Sequence, residues 1–130
     1  MTRLVALCAS AIVLAACAER PSVDDAALHY AIVRHESGAE VTFDGTVDGP
    51  PEQVSDHQRM RVITPQGDRV EVDHNVKLAP SVPAHAGDHV VVHGRLYLDP
   101  GQVGVHCTHA HTSAGCPYPG WVELGGNYYE

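Results

Sequence analysis

Ten histidines in a chain of 130 residues are the side chains with the most chemistry to offer. Neutral imidazole ligates Zn, Cu and Ni, and its unperturbed pKa of about 6.5 lets it exchange protons near neutral pH. His57 opens a segment of strand-like alternation as His57-Gln58-Arg59, and His74 closes the next, followed by Asn75. The turn Pro65-Gln66-Gly67-Asp68 joins the two as a hairpin, so the start of one lies opposite the end of the other and His57 and His74 are expected as neighbours. A later segment ends His106-Cys107-Thr108-His109-Ala110-His111. In a closed barrel it would lie near the first two, bringing His57, His74, His106 and His109 together as a candidate Zn or Cu site. His106 and His109 share a side only where the chain leaves the strand at Thr108, and His109 and His111 only in extended chain. The competing reading is of polar histidines at strand ends, bonded to backbone. His29, His35, His85, His89 and His93 are expected as solvated surface.

Arg59 beside His57, with Asn75 beside His74, could clamp an oxyanion, and His57 and His74 could then act as an acid–base pair on a phosphodiester. Alternatively Arg59 pairs with Glu71 or Asp73 across the hairpin. No Ser-His-Asp arrangement, Walker loop, HExxH or GxGxxG occurs. Cys107 and Cys116 enclose ten residues, both ends counted. Outside the cytoplasm they are expected as a disulfide, with thiolate ligation of a soft metal as the sharper alternative. Trp121 and the Tyr128-Tyr129 pair are expected to anchor the tail on the rest of the domain, or to form a stacking platform.

The elements that must position these groups follow from periodicity. Ser22 and Asp25 have capping-box spacing, and Val23, Ala26, Ala27, Tyr30 and Val33 recur at helical intervals up to Gly38, which predicts a helix over 24–37 with that stripe inward. From Val41 the period becomes two. Strands are predicted over 41–47, 57–64, 69–74, 89–98 and 103–108, with a loop at 48–56 and an irregular link over 75–86 broken by Pro80 and Pro83. The expected fold is mostly β: one short helix, then a five-stranded antiparallel OB-like barrel.

Ahead of this domain, Arg3 precedes an uncharged run of 13 residues, Leu4 to Ala16. That is short of the roughly 20 residues of a membrane span and has the form of a signal sequence. Leu14-Ala15-Ala16-Cys17 resembles a bacterial lipobox, which implies cleavage before Cys17 and lipidation of its thiol. A plain secretory signal cut near Ala16 or Ala18 is the alternative. The organisation expected is a signal peptide over 1–16, a lipidated Cys17 and tether over 17–23, and one domain over 24–130. Ala18 rather than Asp after the cysteine favours the outer membrane, facing the periplasm. The whole chain has 8 basic and 16 acidic side chains, net −8, and the mature chain from Cys17 would have 7 and 16, net −9, with Lys77 the only lysine. That balance argues against an extended nucleic-acid partner.

The ordered set His57-Gln58-Arg59, His74-Asn75, Leu78-Ala79-Pro80, Gly87-Asp88, His106-x-Thr108-His109 and Pro119-Gly120-Trp121 resembles an uncharacterised family of small bacterial envelope domains. The resemblance spans about residues 24–129 and implies a helix followed by an OB-like barrel, but no activity. This chain departs from the pattern at Cys107, where an aromatic is usual, at Ala110, where a second histidine is common, and at Cys116, in a loop where the family has basic and polar residues. A disulfide in place of aromatic packing would account for both cysteines. Three readings remain: an envelope lipoprotein whose barrel binds a ligand, with a metal held by the histidines as one version; a structural or interaction module; and a phosphodiester hydrolase using His57, His74 and Arg59. The ligand-binding set is His57, Arg59, His74, Asn75, His106, His109 and Trp121.

Overall fold

In the computed structural model, which describes residues 18–130, five strands close into a barrel: β1 (Glu40–Val47), β3 (His57–Ile63), β4 (Arg69–Asn75), β5 (His89–Asp99) and β6 (Gln102–His106). Their order is β1-β3-β4-β6-β5, and β5 returns to β1 over seven residue pairs, from Glu40↔Arg95 to Thr46↔His89. The pairing β4–β6 is parallel, through Glu71↔Gly104 and Val72↔Val105. The barrel is therefore mixed and not antiparallel throughout. A closed ring with an odd number of strands cannot alternate direction all the way round, so at least one neighbouring pair must run parallel. Here the β5–β6 hairpin inserts β6 beside β4 and places the mismatch there.

Alternation works as the sequence implies for most strands. Met60 and Val62, Val70 and Val72, Val90 and Val92, and Val105 all face the core with at most 1% exposure, around a fully buried Phe43. The helix is shorter than predicted. α1 (Asp25–Val33) is capped by Asp24, whose carboxylate accepts from Ala27 N, and the capping-box role of Ser22 is not used. Its inward residues are Leu28 and Ala31, whereas Val23, Tyr30 and Val33 are exposed. The predicted stripe faces solvent because the helix rests on β1 through Leu28, a residue that the chosen spacing passed over.

Three further strands lie where loop or tail was expected. β2 (Glu52–Val54) pairs with the start of β3. β7 (Trp121–Leu124) adds to β5 through Val91↔Glu123, Val92↔Val122 and His93↔Trp121, and β8 (Asn127–Tyr129) returns along β7. Gly125 and Gly126, both with positive φ, make the turn between them. At Gly120 a Cβ would strike the carbonyl oxygen of Cys107, so only glycine lets the chain enter β7 against the end of β6. Among the described residues no helix is long and apolar enough to cross a membrane. The segments expected as signal peptide and as lipidated Cys17 lie outside the described residues.

Candidate functional site

Of the ordered motif set, the segments around His57, His74 and His106 meet at one end of the barrel and mostly hold backbone, whereas Gly87-Asp88 lies at the other end, where Gly87 N bonds to Val47 O. His74 has no exposed surface; its Nε2 donates to Pro80 O (2.9 Å) and its Nδ1 accepts from Thr108 Oγ1 (2.8 Å). Bonding to a carbonyl fixes the proton on Nε2, and both ring nitrogens are then used. Burial pushes the His74 pKa down, which keeps the ring neutral. Gln58, paired with His74 in the β3–β4 register, donates to Val82 O (2.7 Å) and accepts from Val82 N (2.8 Å). Together the two side chains fasten the irregular link to the barrel. His109 is 4% exposed and donates from Nδ1 to His111 O (2.7 Å), while its own carbonyl accepts from Gly120 N (2.8 Å). Asn75 Oδ1 accepts from Lys77 N (3.0 Å) and shapes the turn that follows β4.

The four histidines expected to converge do come within electrostatic reach. Charge on His57 or on His109 would lower the pKa of both His74 and His106. They do not form one ligand set. His57 pairs with Asn75 and Gln58 with His74, so strand alternation sends the His57 and His74 rings to opposite faces. His74 has no lone pair left for a metal. Arg59 Nε lies 2.9 Å from Glu71 Oε1 and 3.0 Å from Asp73 Oδ1, so its charge is already matched by two carboxylates. Tyr97 donates to the other Asp73 oxygen (2.5 Å), and burial with this bond raises the Tyr97 pKa well above its ordinary value.

Cys107 and Cys116 are joined as a disulfide, with Cα atoms 5.3 Å apart. His106 Nδ1 is 3.6 Å from Cys107 Sγ. Among the described residues, the group of His, Cys, Asp or Glu whose ligand atoms cluster tightly enough for a metal ion is His106, Cys107 and Cys116, all within 4.8 Å of one another. Cys107 takes φ +58°, a left-handed conformation that costs a non-glycine residue of order 1 kcal/mol. The strand ends there and the chain turns into the loop. His106 lies edge-on to Tyr97 (5.5 Å between ring centroids), and burial is the main cause of its lowered pKa, with Arg95 next.

A second site forms where the tether, β1, β5 and the tail meet. A groove of about 610 Å³ is lined by Ala18 to Pro21 of the tether, by Glu40 and His93 of the barrel, and by Ala110, Tyr118, Pro119 and Trp121. His93 is 8% exposed, not solvated as expected, because the tail covers it: Trp121 stacks on its ring (5.8 Å, 27° between planes). His93 Nδ1 and Thr42 Oγ1 are hydrogen-bonded (2.8 Å). His93 Nε2 faces Glu40 Oε2 at 3.9 Å, too far for a hydrogen bond. Among the described residues, Glu40 Oε2 is buried and has no hydrogen-bond partner. Burial raises the Glu40 pKa against the opposing effect of Arg95, and burial lowers that of His93. Across the mouth, Arg20 bonds both oxygens of Glu130 (2.7 and 3.0 Å) and lays its guanidinium over Tyr128 (3.8 Å) and Trp121 (5.6 Å).

Of the groove residues the sequence reading singled out only Trp121. Glu40, Thr42 and His93 lie on the outward phase of their strands, where polar side chains are ordinary. What makes them a site is the β1–β5 register, Thr42↔His93, and the tail folding over it.

Among the described residues, fold and sites together define a small mixed β-barrel with one helix, a disulfide-stapled loop and an apolar groove containing a buried carboxylate. The chain belongs to the family described as protein of unknown function (DUF3465), whose profile matches residues 11–130. The comparison with curated proteins gives no match.

Proposed function

We propose that this protein is a binding module of the bacterial envelope, an OB-like barrel anchored through lipid on Cys17, whose groove takes a small organic cation with an apolar body. The observation that carries the ligand class is the buried, unpartnered Glu40 oxygen in the groove wall. A buried carboxylate without a donor is costly, and His93 Nε2 stands 3.9 Å from it. An ammonium or amidinium would donate to the Glu40 oxygen, and Trp121 and Tyr118 offer aromatic faces to its body. Arg20, already stacked over Trp121 and Tyr128, acts as an internal stand-in for such a cation at the mouth.

The strand order β1-β3-β4-β6-β5 closing on β1 supports the OB-like reading. The envelope placement, on the outer membrane facing the periplasm, rests on the signal-like run and lipobox of residues 1–17. The membrane is then the one partner the anchor supplies, and a mature charge of −9 would repel an extended nucleic acid. The reading is of a binder and not an enzyme: Arg59 is held by two carboxylates and His74 has no free nitrogen, so no observation favours the hydrolase.

Trp121 is the only tryptophan and sits in the groove, so its emission reports occupancy. Benzylammonium is expected to shift it saturably, and benzyl alcohol is not. Glu40→Gln should weaken benzylammonium by about 10- to 150-fold, the equivalent of one charge-assisted hydrogen bond. An equal response to both compounds would refute charge recognition, and no response to either would leave a structural module. Incorporation of an alkyne-tagged fatty acid, lost in Cys17→Ala, tests the anchor separately.

A further inference from the structure

We propose that His106, Cys107 and Cys116 form a thiol-gated site for a soft metal ion, Cu(I), shut by the Cys107–Cys116 disulfide and opened by its reduction. This site is distinct from the groove and does not depend on what the groove binds. Its ligand atoms already lie within 4.8 Å of one another, and the His106 Nδ1 to Cys107 Sγ distance is 3.6 Å. Ligands bound at about 2.0–2.3 Å around one metal are roughly 3.5–4 Å apart, so that pair is already spaced for ligation. The other requirement is that the two sulfurs separate. Cys116 can move for this: it is the more exposed cysteine and lies in a loop of exposed residues, whereas Cys107 is fixed at the end of β6.

The loop does not depend on the disulfide alone. His109 bonds to His111 O, and Gly120 N bonds to His109 O at its far end. Ser113 and Cys116 exchange backbone hydrogen bonds at its tip. Reduced cysteines would therefore stay beside His106. Arg95 Nη1 donates to Gly115 O, the carbonyl that also lies 3.5 Å from Cys107 Sγ, so a positive charge stands near the sulfurs. Two soft sulfurs and one imidazole, with no fourth residue in the group, suit three-coordinate Cu(I) better than Zn, which takes four ligands.

Electrons and protons balance as follows. Two electrons and two protons from a dithiol protein convert the disulfide to two thiols, and the donor's own cysteines become a disulfide. Cu(I) then displaces the two thiol protons and forms two Cu–S bonds and one Cu–N bond. In the test, a water-soluble phosphine replaces the dithiol protein and leaves as its oxide, taking oxygen from water.

The experiment uses the full chain carrying Cys8→Ser and Cys17→Ser, purified without oxygen, and Cu(I) presented as a coloured chelate. Phosphine-reduced protein is expected to withdraw one equivalent of Cu(I) and to gain a sulfur-to-copper charge-transfer band, and the oxidised protein to withdraw none. His106→Gln, which leaves both cysteines in place, should weaken Cu(I) by roughly 10-fold or more. Cys116→Ser should abolish the band, with circular dichroism confirming that it folds. If it does not fold, the reduced wild type against His106→Gln decides. Equal Cu(I) uptake by oxidised and reduced protein, or undiminished affinity in His106→Gln, would overturn the proposal.

Discussion

Replacing His74 with leucine separates a structural histidine from a ligand. The ring has 0% exposure, and so does Thr108, whose hydroxyl would lose its acceptor inside the barrel. An unsatisfied buried partner costs about 1–3 kcal/mol. Pro80 is itself exposed, so its carbonyl recovers part of its loss from water. The net expectation is a destabilisation of about 2–4 kcal/mol at pH about 7.5. Its pH dependence has a definite sign. Burial holds the folded His74 pKa below its ordinary value, so the unfolded chain takes up a proton first as pH falls. The stability this ring contributes is present above about pH 6.5 and is lost toward the folded pKa, at up to about 1.4 kcal/mol per pH unit. His74→Leu has no such term. The stability gap between wild type and variant should therefore narrow, by up to about 1.4 kcal/mol, between pH about 7.5 and 5.5. His93 and His106, whose pKa values are also lowered, remain in both proteins and cancel. Urea unfolding followed by Trp121 emission at the two pH values measures the gap. A gap that is absent, or the same at both, would refute the account of His74 as a neutral, doubly bonded core group.

Gly120→Ala should cost about 4 kcal/mol or more, because the new Cβ meets the Cys107 carbonyl, a backbone atom that cannot swing aside; a large red shift of Trp121 emission would show the β7–β8 hairpin detached. Cys116→Ser should lower stability by roughly 2.7 kcal/mol through loop entropy, read from the urea midpoint, and an unchanged midpoint would mean that the closed loop adds nothing. Arg20→Ala removes an exposed pair with Glu130, so stability should change by less than about 1 kcal/mol. The same change clears the groove mouth, so benzylammonium should bind more tightly, and weaker binding would contradict the stand-in role of Arg20.

Strand positions were legible because Met60, Val62, Val70, Val72, Val90 and Val92 alternate cleanly. The parallel β4–β6 pairing was not, since closure of the ring is a property of all five strands and of no local window. Arg59 shows the same divide. Its pairing with Glu71 and Asp73 could be anticipated from the hairpin register, because that contact is local. His93 was read as solvated because its strand phase points outward. The stretch that buries it, Trp121 at the head of β7, is 28 residues downstream and reads as tail. His74, in turn, had the residue type of a ligand, and only its partners, Thr108 from a distant segment and Pro80 from the irregular link that follows, settle its chemistry.

The central claim is that the groove recognises a cation through Glu40, and locating a bound probe tests it most directly. In a crystal of the protein grown with benzylammonium, the ligand nitrogen should lie within hydrogen-bond distance of the Glu40 carboxylate, with its ring against Trp121. A nitrogen pointing to solvent, a ligand outside the groove, or the same pose retained in Glu40→Gln would contradict it.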